Sequence, residues 1–139
     1  MSDIDNAIAR LQDLALACTD IKHAPDYPIE DAGALPVSIA HIKSGQASAD
    51  DATAYRALDV IAVDFHFARI SLKDAYTRIN RLIPEFRARL TGDPTLNGSV
   101  DTLVFPVTYE ASPAQWDSVT TQMVSFAVTV KTRDASVST

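Results

Sequence analysis

Hydrophobic positions recur at helical spacing near the start of the chain. Ile4, Ile8, Leu11, Ala15 and Cys18 fall on one stripe, which Leu14 widens. This predicts a helix from Asp3 to about Thr19, opened by a capping box of Ser2 and Asp5. Cys18 lies on the stripe and reads as a small core residue, not a reactive thiol. The next stretch, with prolines at 25, 28 and 36, cannot hold regular structure and reads as an extended connector. From Leu35 to Ile42 apolar and polar residues alternate as in a strand. A second strand runs from Ala57 to Ala68, with Ile61, Val63, Phe65 and Phe67 on one face and Val60, Ala62, Asp64 and His66 on the other. Between them Lys43–Arg56 is polar and small, which reads as an unusually long hairpin tip.

Ser71 and Asp74 form a capping box for a second helix with an expected core stripe of Leu72, Tyr76, Ile79 and Ile83. Pro84 predicts a kink or a restart, after which Phe86 and Leu90 carry the apolar face onward. Gly92 stands where a left-handed cap is expected. A third strand, Asp101–Ala111, contains Pro106 and therefore belongs at a sheet edge or carries a bulge. In the fourth, Thr120–Thr132, Val124, Phe126, Val128 and Val130 alternate cleanly with Met123, Ser125, Ala127 and Thr129, and residues 133–139 read as a disordered tail. The order helix, strand, strand, helix, strand, strand implies one α+β domain over residues 1–132. Two helices would pack on one face of a mainly antiparallel four-stranded sheet.

A chain of 139 residues, 47% hydrophobic and 22% charged, can bury an adequate core without disulfides or metals. Its net charge of −6 disfavours a direct grip on nucleic-acid phosphates. The single cysteine allows no internal disulfide, and the first residues lack the basic and apolar segments of a secretion signal. No apolar run approaches the ~20 residues that cross a bilayer. A soluble protein made in the cytoplasm is expected.

Candidate chemistry is sparse. His23, His41 and His66 show no metal-site spacing, although His41 and His66 could be cross-strand neighbours on a solvated face. Asp59 and Asp64 lie an odd number of residues apart on one strand, so they face opposite sides. Four glycines cannot build a phosphate loop. The segment "GDPTLNGSVD" imitates a calcium loop from Asp93, with glycine in the sixth place, but the position of the bidentate glutamate holds Val104. It reads instead as a helix stop followed by turn residues. No catalytic, cofactor or metal residue is assigned. Contact residues are expected at the hairpin tip (Asp50, Asp51, Tyr55 and Arg56) and at Trp116, since tryptophan is enriched in interfaces. A rival reading, a small ligand-binding domain, would need a pocket using His41, Asp64 and His66.

The connector "APDYPIEDAGALPVSIAHI", the stretch "GQASADDATAYRALDVIAVDFHFAR", the capped "SLKDAYTRINRLIPEFRARL", then "GDPTLNGSVDTLVF" and a closing "MVSFAVTVKT" occur in order over roughly residues 5–132. In these motifs the chain resembles the tail terminator, or tail-completion, proteins of long-tailed bacteriophages. That resemblance implies an α+β subunit of a homo-hexameric ring at the head-proximal end of the tail tube, in the virion. The ring would stop tube polymerisation on the major tail tube protein and join a head-tail connector or neck protein. DNA would pass its lumen without specific binding, and no enzymatic activity or cofactor is implied. A neck or head-completion protein of the same virion is the nearest alternative.

Overall fold

The computed structural model describes residues 3–21, 24, 36–49, 54–69, 71–116 and 119–135. Six elements follow in the expected order: α1 (Asp3–Leu16), β1 (Val37–Ala49), β2 (Ala54–Ala68), α2 (Leu72–Thr91), β3 (Thr102–Trp116) and β4 (Val119–Ala135). The strands form one antiparallel sheet in the order β1-β2-β4-β3, and both helices pack on the same face of it. The expected capping residue Ser2 lies outside the described residues.

The core follows from alternation in the two central strands. Ile61, Val63 and Phe65 of β2 and Val124, Phe126, Val128 and Val130 of β4 are all fully buried beneath the helices. Phe65, Phe86 and Phe126 meet edge to face, with centroids 5.0, 5.8 and 4.9 Å apart, the arrangement that ring quadrupoles favour. Helix α1 is fastened to β1 by a reciprocal pair: Gln12 Nε2 donates to the Ser38 carbonyl at 2.8 Å, and Ser38 Oγ donates to Gln12 Oε1 at 2.6 Å. The chain leaves α1 three residues earlier than expected, turning at Asp20 with φ 75°. There Asp20 pairs with Arg78 and Arg81 of α2, while the Thr19 amide donates to Glu85. Cys18 is buried, as its place on the stripe predicts.

Helix α2 corrects two expectations. Its buried stripe is Ala75, Ile79, Leu82, Phe86 and Leu90, whereas Leu72 and Tyr76 are 46% and 43% exposed. The helix is continuous through Pro84 and does not restart there. By helical spacing Tyr76 lies to one side of the buried stripe, whereas Leu72 shares the line of Leu90 and is exposed as the first residue of the helix. Pro84 supplies no amide to the Asn80 carbonyl, but both residues are exposed and solvent can take its place. Ser71 caps the helix as expected, accepting from the Asp74 amide at 3.3 Å. Gly92 is not left-handed: its φ is −81° and its amide continues the helical ladder to the Ala88 carbonyl. The left-handed residues come later, at Leu96, Asn97 and Gly98.

The strands are longer than the hydrophobic pattern marks. Residues Lys43–Ala49 and Ala54–Arg56 are not a loose tip but a ribbon that, after a register shift between Ile42 and Ser44, stays paired down to Ala49↔Tyr55. No alternation announced it because β1 is exposed on both faces from Ile42 to Ser48. Strand β4 continues beside this ribbon to Ala135, three residues into the segment read as a tail. Strand β3 likewise extends through "SPAQW" to Trp116. It is an edge strand, and its register with β4 shifts between Val104 and Thr108, around Pro106. Both consequences of that proline are therefore present.

Candidate functional site

Two regions carry polar side chains that the core does not use, the ribbon and the helix-free face of the sheet. Of the expected contact residues, Asp50 and Asp51 lie outside the described residues. Tyr55 and Arg56 begin β2, facing Ala49 and Ser48 of β1 on one side and Asp134 and Arg133 of β4 on the other. Trp116 ends β3, opposite Val119. Since Arg56 pairs near one end of β4 and Trp116 near its other end, strand rise separates them by about 45 Å. The structure does not merge these residues into one surface; it places them at opposite ends of the sheet.

At the ribbon, Gly45 lies opposite Asp59, whose carboxylate covers the space that a Cβ at Gly45 would fill. A shallow groove of about 440 Å³ runs along this stretch, lined by Ile42, Lys43, Gln46 and Asp59 among others. Ile42 is 48% exposed there, apolar surface that nothing in the chain's own core requires.

On the helix-free face, Asp64 of β2 stands between neighbours from two other strands. Ser125 Oγ of β4 donates to Asp64 Oδ1 at 2.6 Å, and His41 Nε2 of β1 lies 2.9 Å from Asp64 Oδ2. These groups, with Lys43, Thr108, Glu110 and Met123, line an open groove of about 410 Å³. The hydroxyl proton is held by the carboxylate, and the imidazole contacts that carboxylate rather than the hydroxyl. The order Ser–Asp–His therefore lacks the nucleophile-to-base contact of acyl-transfer triads. It cross-ties three strands instead.

His66 shares this face but not this cluster. It is buried and its Nδ1 lies 2.7 Å from Thr121 Oγ1. Burial holds its pKa below the ordinary histidine value, against the pull of nearby Asp64. His41 and His66 are not cross-strand neighbours, since His41 faces Ala62 and His66 faces Val37. Asp59 and Asp64 do fall on opposite sides, as parity requires. Sequence reasoning missed Ser125, Thr121 and Glu110, whose only signal was membership of the polar alternates in the last two strands.

The calcium-like segment is spoken for internally. Asp93 Oδ2 accepts from Arg10 Nε at 2.7 Å and Oδ1 from the Asn97 amide at 2.9 Å. Burial raises the carboxyl's pKa, but these donors outweigh it and hold Asp93 below the usual range. Leu96 is fully buried and the Leu103 amide donates to the Pro94 carbonyl, so the segment plugs the core's end. Among the described residues, no group of three or more His, Cys, Asp or Glu side chains could hold a metal ion. No described helix is long and apolar enough to cross a membrane.

No protein-family model matches the chain, and no curated protein matches it either.

Proposed function

We propose that this chain is a structural virion protein, a phage tail terminator that assembles as a homo-hexameric ring on the head-proximal end of the tail tube. The observation that supports it most is the β1–β2 ribbon, which carries on past the buried core with both faces of β1 exposed. An arm of this kind adds little to the subunit's own packing, and its use is contact with another chain. The ribbon and Trp116 lie at opposite ends of the sheet, which suits a ring with one surface toward the tube and another toward the connector or neck protein. With a net charge of −6 on each chain, the ring would let DNA slide past its lumen rather than hold it. The role is assembly rather than catalysis, and it uses no cofactor.

The test is to replace Ala47–Ala57 by an Asn-Gly turn, leaving Gln46↔Leu58 as the last pair. The variant should fold, yet give tails of uncontrolled length or tails that do not join heads. Normal infectious particles carrying the shortened ribbon would remove the ribbon from the reading. Purified rings that bind filled heads and ignore tail tubes would favour a neck protein instead.

A further inference from the structure

The sheet has two outer edges, β1 and β3, and among the described residues no strand pairs with the free side of either. We propose that these edges are the two halves of a single interface: β3 of one copy lies antiparallel against β1 of the next, so that the sheet continues from subunit to subunit. The inference deepens the ring reading by naming the surfaces that would close it.

Strand direction is the first argument. Four antiparallel strands leave the outermost two running in opposite senses. Copies placed side by side in one orientation therefore bring β3 and β1 together antiparallel, with unspent backbone donors and acceptors on each. Such a contact is heterologous, and repeated head to tail it generates a ring or a filament.

The two rims also match in chemistry. On the helix-covered face, Tyr109 lies opposite Phe126 and Ile42 opposite Ile61, so both share the core's side of the sheet while sitting on outer strands. Both are exposed, 40% and 48%, and Phe105 on β3 is 51% exposed. A neighbour added to either edge would cover them. The helix-free face has opposite charges at its margins: Lys43 at the β1 side and Glu110 at the β3 side of one groove. In the register that pairs Ile42 with Tyr109, that glutamate falls opposite His41 of the next copy and diagonal to that lysine. Level across the sheet, Ile42 faces Ile61, then Val128, then the β3 bulge near Phe105–Val107; a stagger of two residues would bring it to Tyr109. Pro106 and Pro113 bound the usable part of β3, leaving the six residues Val107–Ser112 to pair.

Disulfide trapping tests this with full-length chains. Ile42→Cys is mixed with Tyr109→Cys, and separately with Phe105→Cys, under mild oxidation. Within one chain β1 and β3 are three strand spacings apart, about 14 Å, too far for a bridge, so any bond joins two copies. Native Cys18 does not compete: it is buried, and burial together with Glu85 pushes its thiol pKa up to about 11. One of the mixtures should give covalent dimers, and the corresponding double variant a ladder of higher oligomers. Lys43→Glu or Glu110→Lys should slow trapping about three- to tenfold at low salt, and the two together should restore it. No dimers in either mixture, with the introduced thiols reactive, would overturn the interface. So would efficient self-trapping of Ile42→Cys alone, which marks a two-fold contact. A ladder from protein that fails to cap tail tubes keeps the interface and removes the terminator reading; capping without a ladder does the reverse.

Discussion

Two lengths of the same sheet are held together by different forces. Where helices cover it, Phe65 and Phe126 are fully buried and each touches Phe86, so side-chain packing fixes the register. In the ribbon, pairing continues through Ser48↔Arg56 although β1 is exposed on both faces, so backbone hydrogen bonds set the geometry with little apolar burial to help. The covered part gives the subunit its stability; the ribbon gives it reach. A long polar segment can thus be well-formed structure while adding almost nothing to the free energy of folding.

The sharpest way to break the contrast is to hollow the covered part. Phe126→Ala should cost about 3–5 kcal/mol, read from urea unfolding, because it empties the centre of three ring contacts. A loss under about 1 kcal/mol would contradict the packing. Next in size is Arg10→Ala, which frees α1 from the segment after α2 and should cost about 0.5–1 kcal/mol at neutral pH. The Asp93 pKa is depressed in the fold, so its contribution is present above the unfolded value near 4 and fades as pH falls through the folded value. In Arg10→Ala that acid sensitivity should shrink.

His66 gives a smaller effect of opposite origin. Its folded pKa is lowered, so the unfolded chain binds the proton more readily. Stability should be complete above about pH 6.5 and decline as pH falls below that. His66→Gln should flatten this part of the profile; an unchanged slope would assign it elsewhere. In the ribbon, Gly45→Ala pushes a Cβ into the Asp59 carboxylate, which can swing aside. The cost should stay below about 1 kcal/mol and vanish in the Gly45→Ala, Asp59→Ala pair. Shortening the ribbon at Ala47–Ala57 should move the melting temperature least of all. A large fall would mean the ribbon stabilises the subunit after all.

What could be read from the sequence follows the same division. Element order and the buried face of β4 were legible because four apolar residues alternate without a break from Val124 to Val130. The ribbon was not, because a strand solvated on both sides has no period to detect. The buried stripe of α2 is rotated about the helix axis from the expected one, with Ala75 and Leu82 buried beside the expected Tyr76 and Ile83. The Asp64 cluster depended on a partner 61 residues away, so Ser125 could not be paired with it before the strand order was known. Tyr55 and Arg56 were expected as contacts at the hairpin tip and Trp116 as a separate one after strand three, and the register places them at opposite ends of the sheet.

Strand β4 has a mechanical consequence. It runs from Val119, opposite Trp116, to the ribbon's end at Ala135, and β2 lies against it over fifteen consecutive positions, Ala54↔Ala135 to Ala68↔Thr121. A pull along this axis loads those rungs in shear, all at once, whereas a pull across it would peel them singly. The subunit is therefore stiffest along the line joining its two ends, and tension applied at one end arrives at the other with little stretch.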